Sequence, residues 1–312
     1  MSSTLQIRQP FIRRLLQYLK ERFPLVQHGV IIAIFSFSAI AYSRISSGKS
    51  GFIPGSTFVI GFLMAFTLFL LLRLLDEIKD FEDDSKYRQY LPLPRGLIRL
   101  YEIQGMIGAV LIVQVGLILV FQPRMLLFYL LVMGYMFLMT KEFFAPAWLR
   151  RHPIIYVVSH MMIIPFVDMY SSGLDWLLGG TGMHWGLAWF FAVSFFNGIV
   201  LEFGRKMRTP ETEEPGVVSY TGLYGTKGGP LIWMGLLFTT LLLAMGAAHY
   251  AGFSRYVWVF LTVLCLVLML PAMLFIIRPT KARSKWIEHA SGIWTAMMYL
   301  TLGAAPMVEQ IW

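Results

Sequence analysis

The sequence predicts an all-α polytopic membrane protein, and three observations support this fold class. Of the 312 residues, 57% are hydrophobic and only 14% are charged, whereas roughly a quarter of the residues of a soluble domain are charged. Apolar runs of about 20 residues, the length that crosses the hydrocarbon core of a bilayer, follow one another along most of the chain. Most lysines and arginines lie in short segments between these runs, where they determine membrane topology.

Nine apolar segments are predicted to cross the membrane as helices. They are residues 27–46, 54–76, 97–121, 125–141, 152–170, 184–204, 229–248, 255–278 and 286–308. Before the first span, residues 4–23 place leucines and Phe11 among basic side chains, which is typical of an amphipathic helix at the membrane surface. A solvated N-terminal arm is the alternative. We therefore divide the chain into an amphipathic cytoplasmic helix, residues 1–25, and a transmembrane domain, residues 26–312.

The distribution of positive charge predicts the orientation. With the N-terminus in the cytoplasm, 21 lysines and arginines lie in cytoplasmic segments and 4 lie on the opposite face. The positive-inside rule then places the C-terminus outside, and we take a bacterial plasma membrane as the default location. Topology also accounts for the net charge of +9, so the lipid bilayer is expected as a partner and nucleic acid is not. The second, fourth, sixth and eighth spans all end at the cytoplasmic face.

The strongest chemical signal is an acidic segment at the end of span 2. Six carboxylates lie between Asp76 and Asp84, and Asp76, Asp80 and Asp84 follow one another at intervals of four residues. This spacing puts the three aspartates on one face of a helix. Their mutual repulsion and the helix dipole oppose ionisation unless a cation is present, and oxygen ligands of this kind suit Mg²⁺. The alternative is a solvated helix end whose acids pair with nearby basic side chains such as Lys79.

Two further segments bring polar groups to the same face. Tyr135 and Lys141 stand at the inner end of span 4, where the lysine either binds a phosphate or anchors the helix at the interface. At the end of span 6, Glu202 is interpreted as a second carboxylate at the metal. The basic side chains that follow, interpreted as clamps for a diphosphate, are Arg205, Lys206 and Arg208. An ordinary helix-stabilising pair of Glu202 with Lys206 is the alternative.

Polar residues inside spans 5 and 6 are additional candidates. Because ionisable residues within a membrane are functional hypotheses by default, His160 is assigned to substrate binding. Asn197 is assigned to the same role as a side chain that could complete a polar interior. A hydrogen bond to a neighbouring helix is the alternative for His160. Asp168 is either a buried polar group or a residue near the outer interface, where an acidic side chain is ordinary.

At these residues the chain resembles the UbiA superfamily of intramembrane prenyltransferases. The first motif of that family, N-x-x-x-D-x-x-x-D followed by a segment like R-P-L-P-x-G, is similar to the register of Asp76, Asp80 and Asp84 followed by residues 91–96, LPLPRG. Asp76 stands where the family has asparagine. The similarity extends through the helix count over most of the chain.

The resemblance continues in the later segments. Tyr135 and Lys141 match a tyrosine and a lysine at the end of the family's fourth helix, and residues 216–225 are similar to its G-x-K-S-T-A-x-x-F-G segment. The second aspartate-rich motif departs from the family pattern, because Glu202 is its only clear intramembrane acid. The loop acids that are candidates to replace the missing ones are Glu211, Glu213 and Glu214.

The resemblance implies nine helices in a bundle with a central cavity, and Mg²⁺-assisted transfer of a prenyl group from a prenyl diphosphate to a hydrophobic acceptor. The acids that it assigns to metal binding and catalysis are Asp76, Asp80, Asp84 and Glu202. The side chains assigned to substrate binding are Arg73, Lys86, Tyr135, Lys141, His160, Asn197, Arg205, Lys206 and Arg208. A terpene cyclase of the same family, a small transporter or ion carrier, and a catalytically silent relative are the alternatives.

Overall fold

A computed structural model describes residues 9–309, and this part of the chain is helical without a β-strand. Its fourteen α-helices, numbered in chain order, are α1 Phe11–Arg22, α2 Leu25–Ser46, α3 Gly55–Lys79, α4 Phe81–Tyr87, α5 Leu100–Phe121, α6 Leu126–Thr140, α7 Pro146–Arg151, α8 Pro153–Met161, α9 Ile163–Trp176, α10 Gly186–Arg205, α11 Tyr220–Tyr250, α12 Arg255–Ile277, α13 Lys281–Tyr299 and α14 Ala305–Glu309. The all-α fold class is confirmed.

Eight helical segments of the described chain are long and apolar enough to cross a membrane, and they match the first eight predicted spans. The chain is an integral membrane protein. The predicted ninth span falls on α13, which carries Lys281, Arg283 and Lys285 in its first turns and is therefore much less apolar. A count of nine spans is not confirmed.

The predicted surface helix is present as α1. It begins after Pro10, and its last turn is followed by Pro24, which disfavours a helical conformation of the residue before it. Basic residues in the last turn complement the helix dipole. The portion of this prediction that covers residues 4–8 lies outside the described residues.

The chain forms two compact units. Of the described residues, the first unit combines 9–33 with Val59–Pro146, and the second combines Ile34–Phe58 with 147–309. The predicted single transmembrane domain of residues 26–312 stays a prediction.

In the first unit, α1 packs against α3 and the residues leading into α5. The buried side chains of this core are Tyr18, Leu74, Leu93, Ile98 and Ile103. Arg14 on α1 donates to both carboxylate oxygens of Glu102 on α5, at 2.8 and 2.5 Å. Bidentate pairs of this kind fix orientation as well as distance, so they hold α1 in one position on the unit.

The LPLPRG segment of the first unit is a packed turn. Leu91, Leu93 and Leu97 are buried, and the amide of Leu97 donates to the carbonyl of Pro92 at 2.9 Å. Gly96 has φ of 77°, a left-handed conformation that glycine adopts without steric cost. This turn therefore connects the acidic segment to α5.

In the second unit, α10 packs against α9, α11 and α13, and α12 packs against α11 and α13. Two predicted spans have different boundaries from those expected. Span 5 is divided into α8 and α9 at Met162, and it continues to Trp176. Span 7 begins at Tyr220, and its helix is interrupted at Gly225, where φ is 78° and ψ is 166°.

Candidate functional site

The acidic segment keeps its helical register across the junction of α3 and α4. The amides of Asp80, Asp84 and Arg88 donate to the carbonyls of Asp76, Asp80 and Asp84 at 2.9, 2.8 and 2.8 Å. Each aspartate therefore lies one helical turn after the previous one, as the spacing predicted.

Asp76 and Asp80 share a single cation. The Lys79 ammonium lies 3.6 Å from Asp76 Oδ1 and 3.8 Å from Asp80 Oδ1, and these carboxylate side chains are 40% and 41% exposed. Desolvation raises the pKa of the Asp80 carboxyl; the Lys79, Arg88 and Arg73 charges oppose this shift, and the Asp76 charge adds to it. Two partly exposed carboxylates thus lie beside the same ammonium group.

Asp84 differs from the other two aspartates. Its side chain is buried, and it forms an ion pair with Arg88 one turn later. Burial raises the pKa of the Asp84 carboxyl, and the Arg88 charge opposes the shift. The role of Asp84 as a metal ligand stays a prediction, because it would require the carboxylate to leave this arginine.

Glu77, which sequence reasoning did not single out, is the most buried acid of the segment. Its Oε1 accepts from Arg22 Nε and from Arg73 Nη2, each at 2.6 Å. The Tyr18 hydroxyl lies nearby, and burial raises its pKa, with the Glu77 charge adding to the shift. Glu77 thus joins α1 to α3. Arg73 is engaged here, and its predicted contact with substrate stays a prediction.

The other predicted residues of the first unit lie near its surface. The Lys86 ammonium lies 4.9 Å from the centre of the Tyr87 ring. Lys141 is exposed directly after α6, and the Tyr135 ring packs edge-on against Phe143 at 5.6 Å.

Three residues after Lys141 have an unusual backbone. Glu142, Phe143 and Phe144 have φ values of 46°, 52° and 57°, the left-handed region that costs a non-glycine residue about 1–2 kcal/mol. This turn directs the chain away from α6. The phosphate-binding role of Lys141 stays a prediction.

In the second unit, the last turn of α10 gathers one acid and two bases. Glu202 Oε2 accepts from Arg205 Nη2 at 2.6 Å, and Glu202 Oε1 lies 2.6 Å from Lys206 Nζ. The Glu202 side chain is 10% exposed, whereas those of Arg205 and Lys206 are 59% and 30% exposed. The spacings of three and four residues bring these groups together on one helical face.

The loop after α10 is held by its own side chains. Arg208 pairs with Glu214 at 3.2 Å and donates to the Thr212 carbonyl at 3.1 Å. Glu213 Oε1 accepts from the hydroxyls of Ser219 and Thr221 at 2.5 and 3.3 Å. Two of the three loop acids proposed as substitutes for the missing motif are therefore already engaged.

The segment that resembles the family's G-x-K-S-T-A-x-x-F-G pattern forms the start of α11. Ser219 caps the helix by accepting from the Gly222 amide at 2.8 Å. Gly216 and Gly225, at the two ends of the segment, both have positive φ. The segment is a helical turn with an N-terminal serine cap. At each of its ends the chain changes direction at a glycine with positive φ.

The intramembrane candidates lie in buried positions. His160 Nδ1 donates to the Tyr156 carbonyl at 2.8 Å, and the two rings stack at 3.9 Å. Because a carbonyl only accepts, this contact places the proton on Nδ1 and makes Nε2 the acceptor of the neutral ring. Their assignment to substrate binding stays a prediction for both His160 and Asn197.

Asn197 belongs to a polar group in the interior of the second unit. Asn197, Ser194 and Asp168 are completely buried, and Asn197 and Ser194 lie beside the Tyr299 hydroxyl. Ser194 is also next to the Asp168 carboxyl. Asp168 is a buried polar group in a helix that continues to Trp176, and its position relative to the outer interface stays a prediction.

A second ion cluster, missed in the sequence, surrounds Asp175 at the end of α9. Its Oδ1 accepts from Arg44 at 3.2 Å, and its Oδ2 accepts from Lys49 and Ser43 at 3.1 Å each. Asp175, Arg44 and Lys49 line a cavity of about 350 Å³ together with apolar side chains such as Leu174. The cluster ties the loop between α2 and α3 to α9.

The structure brings predicted residues together as two separate groups. Asp76 and Asp80 converge in the first unit, and Glu202 meets Arg205 and Lys206 in the second. No three acid, histidine or cysteine side chains among residues 9–309 come close enough together to hold a metal ion by themselves. The four-residue metal set of Asp76, Asp80, Asp84 and Glu202 stays a prediction.

Comparisons with known proteins support the fold. No protein-family profile and no curated protein sequence matches this chain. The apo structure of a UbiA homolog from Aeropyrum pernix K1 superposes with a TM-score of 0.65 at 14% identity, over 90% of this chain and 98% of that one. A structure of digeranylgeranylglyceryl phosphate synthase in membranes superposes with a TM-score of 0.60 at 17% identity, over 96% and 99% of the two chains. The resemblance found in the sequence is thus confirmed in three dimensions, and this integral membrane protein has the UbiA fold.

Proposed function

We propose that this chain is an intramembrane prenyltransferase that ionises a prenyl diphosphate with the help of Mg²⁺ and transfers the prenyl group to a hydrophobic acceptor. The observation that carries the proposal is the convergence of Asp76 and Asp80 on one cation at the end of a long apolar helix. It occurs in a chain with the UbiA fold.

The residues present fit a magnesium ion. Mg²⁺ is typically bound by one or two carboxylates, while substrate phosphates and water supply the remaining oxygens. Asp76 and Asp80 provide two accessible carboxylates one turn apart, and the Lys79 ammonium beside both marks a position that favours positive charge. We therefore assign Asp76 and Asp80 as the ligands. Bound there, Mg²⁺ would stabilise the negative charge of the leaving diphosphate as a Lewis acid.

The remaining roles follow from charge and position. Arg205 and Lys206 are at least partly exposed cations that would bind diphosphate oxygens, and Asp76 and Asp80 would hold the metal ion beside Lys79. The positive-inside rule places the ends of spans 2 and 6 at the same membrane face. Tyr135 and Lys141, at the end of span 4, belong to the same face. The apolar interior excludes water from the prenyl cation.

The test is diphosphate release by purified protein in detergent. Prenyl diphosphates of ten to twenty carbons would be offered with and without Mg²⁺ to the wild type, to Asp80→Asn and to the control Glu82→Gln, which removes an exposed charge from the same segment. Loss of a metal ligand should slow release by about a hundredfold, because a Lewis-acid metal supplies several kcal/mol. Equal rates for Asp80→Asn and Glu82→Gln would remove the aspartate site from the mechanism.

The same assay distinguishes transfer from cyclisation. A transferase releases diphosphate faster when a hydrophobic acceptor is added and forms a product that contains both partners. A cyclase forms a hydrocarbon or alcohol from the donor alone.

A further inference from the structure

The two acidic groups of the chain have opposite charge balance. Asp76 and Asp80 are two carboxylates with one ammonium at 3.6 and 3.8 Å, so these three side chains sum to one negative charge, and the Arg88 and Arg73 charges act on Asp80 from farther away. Glu202 is one carboxylate held by two cations at 2.6 Å, so that cluster carries one net positive charge. The first arrangement attracts a divalent cation and the second attracts an anion.

Each carboxylate oxygen of Glu202 already contacts a positively charged side chain. Its Oε2 is occupied by Arg205 and its Oε1 by Lys206, and the side chain is almost completely enclosed. A divalent cation at this carboxylate would lie within a few ångströms of two positive charges, or it would have to displace both. Short, charge-assisted contacts of this kind are the strongest hydrogen bonds in proteins, so the pairs resist displacement.

Glu213 and Glu214, two other acids of this loop, do not replace Glu202 as candidate metal ligands. Glu213 accepts hydrogen bonds from Ser219 and Thr221 that fix the start of α11. Glu214 pairs with Arg208. Both acids stabilise the loop locally, and a metal ion would have to compete with these contacts.

We propose that the cluster of Glu202, Arg205 and Lys206 is a metal-independent phosphate site. Arg205 and Lys206 bind diphosphate oxygens directly, and Glu202 is a positioning residue that orients the two cations and ligates no second metal ion. The inference rests on the proposed function and deepens it, because the chain then uses one Mg²⁺ at Asp76 and Asp80. It replaces the earlier assignment of Glu202 as a metal ligand.

The exposure of the three side chains agrees with these roles. Glu202 is enclosed, whereas the Arg205 guanidinium and the Lys206 ammonium reach the surface of the unit. A guanidinium presents parallel N–H groups that match two phosphate oxygens, and an ammonium acts as a compact point charge. Through one contact to each of its oxygens, the buried Glu202 carboxylate holds both cations beside it.

Two measurements on purified protein test the proposal without relying on turnover. Electron paramagnetic resonance titration of Mn²⁺ in the presence of inorganic pyrophosphate counts the metal ions bound per chain. Calorimetric titration of pyrophosphate in EDTA measures the affinity of the phosphate site without metal. The variants are Glu202→Gln, Lys206→Gln, Arg205→Gln and Asp80→Asn, and Lys285→Gln is the matched control because it removes an exposed lysine charge elsewhere in the same unit.

We expect one Mn²⁺ per chain in the wild type, one in Glu202→Gln and none in Asp80→Asn. Without metal, pyrophosphate should bind about tenfold more weakly to Lys206→Gln and to Arg205→Gln, the loss of one charge-assisted hydrogen bond, and normally to Lys285→Gln. Thermal unfolding of each variant establishes that it is folded.

Two results would overturn the inference and leave the proposed function standing. The first is two Mn²⁺ in the wild type that fall to one in Glu202→Gln. The second is metal-free pyrophosphate binding that is absent, or unchanged by both basic substitutions. The opposite failure is also distinct: pyrophosphate binding that depends on Lys206 without any Mn²⁺ site would retain the inference and refute the magnesium mechanism.

Discussion

Replacing Glu77 by glutamine tests whether buried ion pairs hold α1 against the transmembrane helix α3. The Glu77 side chain is 1% exposed and accepts from Arg22 and Arg73 at 2.6 Å each. A hydrogen bond to a charged group contributes about 1.5–3 kcal/mol, and a neutral one contributes about 0.5–1.5 kcal/mol. Glutamine keeps the shape and removes the charge. Only the Arg22 contact joins the two helices, because Arg73 lies on α3 one turn before Glu77 and keeps its contact when α1 opens. Since Arg22 is partly exposed, we expect the docking of α1 to lose about 1 kcal/mol.

This loss should appear as local opening of α1. At 1.36 kcal/mol for each factor of ten, about 1 kcal/mol increases the population of the open form about fivefold. Hydrogen–deuterium exchange of the α1 amides, measured by mass spectrometry in detergent, reports that population directly. Amides of α10 in the second unit serve as the internal reference, and we expect no change there.

The control is Glu82→Gln, which removes an exposed carboxylate from the same acidic segment. If α1 exchanged at the same rate in both variants, the ion pairs of Glu77 would contribute nothing to its docking, and the reasoning would be refuted. Mn²⁺ binding offers a second comparison. Glu77→Gln should retain the metal ion that Asp80→Asn loses, because Glu77 is engaged with arginines in the interior.

Three other outcomes are expected. Asp175→Ala leaves two partly buried cations without their shared carboxylate and should lower the free energy of unfolding by about 2 kcal/mol. The control Glu211→Ala removes an exposed carboxylate and should leave the free energy of unfolding unchanged. Thermal unfolding compares the two variants. Gly303→Ala would place a Cβ 2.5 Å from a side chain of α2 and should lower the free energy of unfolding by about 1–3 kcal/mol. Gly292→Ala is the control: its Cβ meets no atom within 4 Å, so the protein should be equally or more stable. A cysteine at Lys281, in a background without the native cysteine, should react with an impermeant maleimide only from the side that the N-terminus faces, and labelling from the other side would contradict the charge-based topology.

The helices and the register of the aspartates could be predicted from the sequence because both are local properties. A backbone in a bilayer must satisfy its own hydrogen bonds, so an apolar run of sufficient length forms a helix. Once the helix is given, residues four apart lie on one face, and Asp76 and Asp80 converge as expected. The resemblance to the UbiA superfamily also rested on local motifs, and it identified the fold that the structural comparisons confirmed.

The partners of the acids could not be predicted, because the relevant contacts join distant parts of the chain. Glu77 meets Arg22 at a sequence separation of 55 residues, and Asp175 meets Arg44 at a separation of 131. In the sequence, Glu77 is one of six acids among the nine residues 76–84. Its burial, and with it the difference between a structural acid and a metal ligand, follows from the packing of α1 on α3.

The number of acids in a motif therefore indicates less about the ligand that the motif binds than does its net charge after the acids have formed ion pairs. A carboxylate attracts Mg²⁺ when its negative charge is not already neutralised and when water and phosphate oxygens have access to it. Asp76 and Asp80 meet both conditions, while Glu202 meets neither. We therefore propose that Arg205 and Lys206 contact phosphate directly where the family's second motif would offer acids to a metal ion. Because arginine and lysine bind phosphate without an intervening ion, such a contact would need no second metal ion.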